Sequence, residues 1–501
     1  MMFKNACMRI AAGPFQRGGP ALLVAALLAA TSSAARAGGA APLDMAAIDR
    51  FVTSQMAANR IPGLALAIAR GGEVLAVQGY GATSAGEPVT GRTQFRVGSL
   101  SKSFTALAVL QLVEAGRLAL DAPVRRYLPD FTLADPEAAA RITVRQLLNH
   151  TSGLADTGFA AGLMGRQTTL AERVASMRNA RLASAPGAAF HYFDPNYQIL
   201  ARLVEVASGE PFDAYLQAHV FGPLEMHDTF SALTAEEATA RAPRLAHGHL
   251  VVYGVPVAAR ELSGFLGGSG GVVSTAADMA RYLAMQGDRG RYAGPALLDR
   301  ADLDLTHRPP PGVASSYGMG WLVGEARGAR TIEHNGILST FYAEAVLLPD
   351  SGYGFVLLYD EYALASAALA FPRLKDGLAA LLLGQAPPEG GLTVPALGGI
   401  LAGLTILGAG LALRSLLRLP RWAARVASIS PWRRAAGLAG AFAPALVLLG
   451  LPWLLASGSG RYFGYVMLAR AMPDIVIGLG LCAALGALGG AARLLVLWRR
   501  R

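Results

Sequence analysis

The chain has 501 residues, of which 53% are hydrophobic and only 16% are charged, and its formal net charge is +10. Soluble globular proteins usually contain about 25% charged residues, so this composition excludes a disordered chain and indicates that part of the protein lies in lipid. The two cysteines exclude a disulfide-rich scaffold and a cysteine-based zinc site. The length suggests two or three folding units.

The N-terminal segment predicts export. Residues 1–37 contain four basic residues and no acidic residue, an apolar run over residues 21–30, and small residues ending in Ala35-Arg36-Ala37. A basic start, a short apolar core and a small-residue cleavage site are the parts of a signal peptide. A retained anchor is the alternative, but the apolar run is shorter than the roughly 18 residues that a span requires. We therefore predict a signal peptide over residues 1–37.

The C-terminal segment, residues 390–501, predicts a membrane domain. Three apolar stretches, at about 394–413, 435–456 and 475–498, are each long enough to cross a bilayer as a helix. Six arginines lie between the first two stretches and three follow the last, whereas the loop between the second and third carries only Arg461, Arg470 and Asp474. Positive residues stay on the cytoplasmic side. We thus expect a cytoplasmic C-terminus in the inner membrane, with residues 38–389 facing the periplasm or the cell exterior.

Residues 38–389, the middle segment, are predicted to form a mildly acidic domain. Removing both ends leaves a net charge of −5, so the basic balance reflects membrane topology and does not favour nucleic-acid binding. Runs at 64–70 and 73–80 predict a hairpin, 103–118 a buried helix, 317–323, 342–348 and 353–359 strands, and 363–383 a closing helix. We therefore predict an α/β fold, with an antiparallel sheet built from both termini, flanking helices and an inserted helical subdomain.

Lys102 is a candidate catalytic residue. Only three of the 44 basic residues are lysines, and Lys102 follows Ser99 by one helical turn. Arginine does not lose its proton in proteins, whereas burial can lower the pKa of a lysine enough for it to act as a base. A serine hydroxyl needs such a neighbour to become a nucleophile. A surface lysine after a serine-rich turn is the alternative, but the apolar helix that follows favours burial.

Four further segments accompany this Ser-x-x-Lys motif in order along the chain. They are a framework stretch at 143–154, His191-Tyr192-Phe193-Asp194 within 190–197, a Gly-Gly-rich stretch at 270–279, and His334-Asn335-Gly336. Together with residues 95–102 they resemble the serine β-lactamase and penicillin-binding-protein superfamily, in its branch rich in esterases and peptidases. The resemblance covers about residues 45–385. It implies a β-lactamase-like fold.

The resemblance also implies roles for individual residues. Ser99 would be the acylated nucleophile, Lys102 the base that activates it, and Tyr192 the group that passes the proton to the leaving group. The backbone amides of Ser99 and Ile337 would form the oxyanion hole. No metal and no cofactor are expected.

The sequence departs from the family pattern at two positions. Asp194 stands where the second motif has Asn, and His334 stands where the third motif has Lys, which removes a fixed cation that would bind a carboxylate. A neutral or amide-bearing acyl substrate is therefore expected. The substrate-binding group comprises Asp194, His334, Asn335 and Gly336, and Asn335 is a candidate contact for a side-chain amide.

Two other motifs give weaker indications of a site. Gly267-Gly268-Ser269-Gly270-Gly271 matches G-x-S-x-G, but no apolar strand precedes it, so we interpret it as a glycine-rich loop. His247 and His249 lack a third ligand at metal-binding spacing.

Three function classes remain open. The layout of an exported hydrolase with three C-terminal membrane helices is similar to membrane-anchored prodrug-activating peptidases such as the colibactin-maturation peptidase, which remove an N-acyl-D-asparagine cap. This favours a serine hydrolase of amide or ester bonds, with a small-molecule or peptide substrate that contains a D-residue. A cell-wall D,D-peptidase or penicillin-binding protein is the second class, and a non-catalytic sensor or transport module is the third.

Overall fold

The computed structural model describes residues 43–159 and 167–499. The predicted signal peptide and the last two arginines lie outside the described residues.

A six-stranded antiparallel sheet is formed by both ends of the segment 43–389, as predicted. Its strands run in the order β2-β1-β11-β10-β9-β8. They are β1 (Gly63–Arg70), β2 (Glu73–Gly81), β8 (Leu322–Ala326), β9 (Ala329–Ile337), β10 (Tyr342–Leu348) and β11 (Tyr353–Tyr359). Strands β1, β10 and β11 are apolar and almost wholly buried because helices cover both faces of the sheet.

Helices from the two ends of the domain cover one face of the sheet. These are α1 (Met45–Asn59) and α11 (Leu364–Leu382), which bury Phe51, Phe371 and Leu374 against Leu66 and Leu357. The opposite face packs against the central part of the chain. This burial of apolar side chains on two sides is the main stabilising contribution to the domain.

The central part of the chain is mostly helical, as expected. Its helices are α2 (Ser101–Glu114), α3 (Pro136–Arg141), α4 (Val144–Leu148), α5 (Leu170–Ala175), α6 (Asp194–Ser208), α7 (Phe212–Leu216), α8 (Ala235–Arg241), α9 (Ala276–Gly287) and α10 (Arg300–Thr306). Two small three-stranded sheets accompany them, built from β3 (Phe95–Arg96), β4 (Phe230–Ser231) and β7 (Val272–Ser274), and from β5 (His249–Val252), β6 (Val255–Ala258) and β12 (Glu361–Tyr362). Helix α2 is buried along most of its length, as the apolar run predicted.

The strand predicted over 317–323 is shifted in the structure. Residues before 322 form only an isolated bridge between Tyr317 and Leu322, and β8 begins at Leu322. The shift occurs because Tyr317 is fully buried in the helical subdomain, where its hydroxyl bonds to His334. Tertiary contacts therefore override the local strand preference.

The membrane domain contains three long apolar helices that are candidate membrane spans, α12 (Val394–Leu417), α14 (Pro431–Ser459) and α16 (Pro473–Trp498). Two shorter helices, α13 (Leu419–Arg425) and α15 (Tyr465–Ala471), connect them. Helix α16 packs against both other spans. At these interfaces a Cβ on Gly486 would lie 2.2 Å from the Ala441 carbonyl oxygen, so only glycine permits this approach.

The two domains contact each other directly. The Tyr253 hydroxyl, from the β5–β6 turn, lies 3.0 Å from the Thr405 hydroxyl of α12 and donates to the Asp474 carbonyl of α16. The Val394 amide at the start of α12 donates to the Asn59 side chain at 3.1 Å. These contacts bring the loop between α14 and α15 against the hydrolase domain.

Candidate active site

Ser99 lies where the chain turns from β3 into a buried helix. A short 3₁₀ helix, Gly98–Leu100, joins β3 to α2, so the Ser99 amide is at the start of a helix while its side chain is only partly buried. Gly98 has φ of 52°, and a Cβ there would lie 2.9 Å from the Ile337 amide nitrogen. Glycine at this position therefore lets the serine turn approach strand β9.

Lys102 lies one turn further along, fully buried. Its Nζ donates to Ser99 Oγ at 2.9 Å, to Asp194 Oδ1 at 2.6 Å and to the Ser269 carbonyl at 2.8 Å. Ser269 belongs to the glycine-rich loop that the sequence left without a role, and Thr105 Oγ1 holds this loop through the Gly268 carbonyl at 2.7 Å. The loop thus supplies one of the acceptors that orient the lysine.

The expectation of a lowered lysine pKa is wrong. Burial alone lowers the pKa of Lys102, but the charge and hydrogen bonds of Asp194 and Tyr192 outweigh it, and the net shift is upward. The physical reason is the aspartate that replaces the motif's asparagine, since an adjacent carboxylate favours the ammonium form.

Tyr192 covers the lysine. The centre of its ring lies 4.9 Å from Lys102 Nζ and 4.4 Å from the centre of the His150 ring. His150 Nδ1 faces the Phe193 amide at 3.2 Å and the Asn196 side-chain amide at 3.0 Å, so it accepts from both. Burial, and after it the Lys102 charge, lowers the pKa of His150 well below its usual value, so the ring is neutral. His150 therefore holds the Tyr192 ring without adding charge.

Asp194 begins helix α6 and uses both carboxylate oxygens. Oδ1 accepts from Lys102, and Oδ2 accepts from Arg461 Nη2 at 3.0 Å. Burial raises the pKa of Asp194, but the two cations outweigh this and the net shift is well below its usual value. A carboxylate at a helix N-terminus is further favoured by the helix dipole.

Strand β9 forms the wall opposite these groups. His334 is buried, with Nε2 3.2 Å from the Tyr317 hydroxyl, and burial followed by the Lys102 charge lowers its pKa to about 3. A Cβ on Gly336 would lie 1.8 Å from the Val97 carbonyl oxygen and 3.0 Å from the Ser99 nitrogen. The backbone at Gly336 and Ile337 therefore lies directly beside the Ser99 turn.

The side chain of Asn335 lies away from Ser99 and the other expected site residues. Side chains alternate along a strand, so Asn335 projects to the face opposite that of His334 and Gly336. There it hydrogen-bonds Tyr342 and lies on the same face as the Lys375–Glu333 pair.

Arg461 and Asp156 are site residues that the motifs did not identify. Arg461 Nε donates to Asp156 Oδ2 at 2.7 Å, and the guanidinium carbon lies 4.8 Å from the centre of the Tyr192 ring. Asp156 is fully buried after the framework stretch, and its Oδ2 also accepts from the Tyr462 amide at 3.2 Å. A signal was present, because the charge distribution predicts a non-cytoplasmic loop around Arg461, and arginine is uncommon on such loops.

No metal site accompanies this arrangement in the described part of the chain, where no three His, Cys, Asp or Glu side chains converge. His249 lies in β5, with Nδ1 2.9 Å from the Asp360 carbonyl, and takes no part in the Ser99 group. The structure thus brings Ser99, Lys102, Tyr192, Asp194 and the Gly336–Ile337 backbone together, and leaves out Asn335.

The chain is similar to several known proteins. Residues 48–378 match the family model described as Beta-lactamase. The chain is 31% identical over 313 residues to "Penicillin-binding protein 4" of Amycolatopsis lactamdurans, covering 60% of this chain and 81% of the relative. It is also 31% identical over 335 residues to "Esterase EstB" of Burkholderia gladioli, covering 58% and 83%.

Solved structures show the same fold. The octameric penicillin-binding protein homologue from Pyrococcus abyssi superimposes with a TM-score of 0.59 at 24% identity, covering 69% of this chain and 78% of that one. The D-amino acid amidase from Ochrobactrum anthropi SV3 does so with a TM-score of 0.57 at 24% identity, covering 68% and 97%. The chain belongs to the β-lactamase family, as a serine hydrolase followed by three candidate membrane helices.

Proposed function

We propose that this protein is a membrane-anchored, extracytoplasmic hydrolase that cleaves amide or ester bonds through an acyl-enzyme on Ser99. The observation that carries the proposal is the hydrogen bond of 2.9 Å between Lys102 Nζ and Ser99 Oγ, beneath the ring of Tyr192. A weakly nucleophilic hydroxyl is thereby placed beside groups that exchange protons.

Lys102 and Tyr192 act as a pair that takes one proton from Ser99. Ser99 Oγ attacks the substrate carbonyl carbon as its proton passes to the pair, and the pair then protonates the departing amine or alcohol. Water reverses the sequence, releases the acid and restores the serine. The pair is the unit of proton transfer because Asp194 raises the pKa of Lys102, so a lone neutral lysine is disfavoured.

The oxyanion of this reaction is bound by the backbone amides of Ser99 and Ile337. The close approach of Gly98 to the Ile337 nitrogen, and of Gly336 to the Ser99 nitrogen, supports this assignment. Amides fixed by a helix start and a strand edge stabilise developing negative charge without reorganising.

The substrate is uncharged near the scissile bond. His334 is neutral, since its pKa is about 3, and the Arg461 guanidinium is already bound by Asp156 and Asp194. Neither group offers an uncompensated cation to a carboxylate. Amides of N-acyl-D-amino acids, the substrates of a prodrug-activating peptidase, are our first choice, and the fold shared with a D-amino acid amidase supports including them.

The membrane orientation follows from the arginine distribution, with the hydrolase domain and the α14–α15 loop on the periplasmic or outer side. The contact between Arg461 and Asp194 supports this, because it requires the loop and the catalytic domain to share one side of the membrane.

Intact-mass measurement after incubation with a fluorophosphonate tests the acyl-enzyme. We expect one adduct on the wild-type protein and none on Ser99→Ala. Ser269→Ala is the matched control, since Ser269 contributes its backbone carbonyl to Lys102 and should keep the adduct. An adduct that persists in Ser99→Ala would contradict the proposal.

A substrate panel then separates peptidase classes. We expect hydrolysis of N-acyl-D-amino acid amides to exceed that of the L-forms. The 31% identity to a penicillin-binding protein favours cell-wall D,D-peptidase activity as the second candidate. Stable labelling by fluorescent penicillin, together with turnover of D-Ala-D-Ala peptides only, would select that candidate instead.

A further inference from the structure

The loop between the second and third membrane helices reaches into the hydrolase site. Arg461 lies just after α14, and its guanidinium bridges Asp156 and Asp194 at 2.7 and 3.0 Å. The next residue adds its backbone amide to the same Asp156 oxygen. The hydrolase domain and the membrane domain thus share one hydrogen-bonded network at the catalytic lysine.

This network is balanced in charge. Lys102 and Arg461 contribute two cations, and Asp156 and Asp194 contribute two carboxylates. The Arg461 side chain is 22% exposed, whereas Asp156 is 0% exposed and its Oδ1 has no hydrogen-bond partner among the described residues. Without Arg461, the second oxygen of Asp194 would lose its cation and the full carboxylate charge would act on Lys102.

We propose that Arg461 is a positioning residue of the active site, through which the membrane domain sets the charge around the Lys102–Tyr192 pair. This inference rests on the proposed function. Arg461 acts through Asp194, whose carboxylate it shares with Lys102, and directly through the face of Tyr192, 4.8 Å away. The membrane helices therefore complete the catalytic site as well as anchoring it.

The direction of the effect follows from the groups around the pair. Several titratable or charged side chains surround Lys102 and Tyr192, on all the elements that pack against them. They are Asp194, Tyr197, Tyr317, His150, His334, Asp156 and Arg461. The two histidines are neutral, so Arg461 is the cation that offsets the carboxylates. Removal of the Arg461 charge favours the protonated form of the Lys102–Tyr192 pair. The rising limb of the pH–rate profile should therefore move to higher pH.

The test uses the full chain in nanodiscs, with the fluorophosphonate acylation rate measured against pH. Arg461→Gln should lower the rate at pH 7 by at least about tenfold. It should also move the rising limb up by about one pH unit. Arg461→Lys should recover part of the rate and part of the pH shift, since it restores the charge but not the planar guanidinium that bridges two carboxylates. Arg470→Gln is the control, because Arg470 also joins the domains, through the Arg260 carbonyl at 3.0 Å, away from the site.

A double substitution separates electrostatics from structure. If Arg461 acts through Asp194, then Arg461→Gln should shift the profile much less in an Asp194→Asn background than in the wild type. An unmoved pH profile in Arg461→Gln, or the same loss of rate in Arg470→Gln, would overturn the inference.

Hydrogen exchange gives a readout that does not depend on activity. Arg461→Gln should speed exchange at the Tyr462 amide and around Asp156, which the loop contacts, and Arg470→Gln should not. Failure of the wild-type protein to label at Ser99 would reject the proposed hydrolase, while unchanged exchange in Arg461→Gln would reject the loop contact alone.

Discussion

Two buried lysines lie on opposite faces of the same sheet, and they differ in what surrounds them. Lys102 bonds to Ser99, Asp194 and a loop carbonyl on the site face. Lys375, on α11, bonds to Glu333 at 3.1 Å and lies 3.3 Å from Glu344 on the other face. Both lysines have a raised pKa, since carboxylates outweigh burial in each case.

The difference shows that a buried lysine paired with carboxylates is not by itself a catalytic signal. Around Lys102 a second cation offsets the carboxylates, and a serine hydroxyl is within reach. Around Lys375 one cation serves two glutamates, and burial raises the pKa of Glu344 to about 7 despite that cation. The first arrangement is suited to moving a proton, and the second ties α11 to strands β9 and β10.

Replacing each lysine by arginine should give the largest contrast. Lys102→Arg should lower the acylation rate of Ser99 by roughly 10³-fold, because a guanidinium does not release its proton and the general-base contribution is lost. Lys375→Arg keeps the charge beside the two glutamates and should leave the rate within about twofold. Fluorophosphonate labelling kinetics on the full chain measure both.

Lys102→Ala separates loss of the amine from crowding by the larger side chain, and it should be as inactive as Lys102→Arg. Labelling at a wild-type rate in Lys102→Arg would remove the proposed chemistry, provided that its Tm shows a folded protein.

Much of the fold was predictable because local sequence patterns determine it. Strands β10 and β11 match the predicted ranges, since both are apolar apart from Glu344 in β10 and are separated by a Pro-Asp-Ser-Gly turn. Strand β9 was missed because polar residues interrupt its apolar pattern. Two of them, Glu333 and His334, find their partners Lys375 and Tyr317 elsewhere in the chain.

The site divides in the same way. Ser99 and Lys102 are three residues apart, so one helical turn predicts their contact. Arg461 and Asp194 are 267 positions apart and lie in two different predicted domains, so no local sequence pattern relates them. The raised pKa of Lys102 also depends on a contact between distant residues, since Asp194 lies 92 positions further along the chain.

Gly336→Ala should cause the next largest loss. Its methyl group would lie 1.8 Å from the Val97 carbonyl oxygen, so β9 must move away from the Ser99 turn and the two backbone amides separate. We expect an acylation rate lower by about 10²-fold, the cost of losing an oxyanion donor. Labelling rate and Tm should be measured together, and a rate near that of the wild type would show that β9 does not form the oxyanion hole.

Substitution of Glu344 should affect stability rather than activity. Burial raises the pKa of Glu344 in the folded protein to about 7, above the usual 4.5 of a glutamate. Glu344 therefore favours folding below pH 4.5 and loses that contribution as pH rises to about 7. Between pH 4.5 and 7, the free energy of unfolding of the wild type should fall by up to about 3 kcal/mol relative to that of Glu344→Gln. Thermal unfolding of both proteins at several pH values measures the difference.

The exposed Glu73 on β2 provides the control for this comparison, since Glu73→Gln removes a glutamate that is not buried. A constant difference between wild type and Glu344→Gln from pH 4.5 to 7 would mean that Lys375 fully compensates the glutamate.

Asn335→Ala should have the smallest effect, and it tests which face of β9 is functional. Its side chain bonds Tyr342 on the Lys375 face, so turnover of an N-acyl-D-asparagine amide should change by less than about twofold. The measurement compares kcat/KM for that substrate with kcat/KM for an N-acyl-D-alanine amide. A selective loss with the asparagine substrate would mean that Asn335 turns toward Ser99 when substrate binds, and the two faces of the sheet would then not be functionally separate.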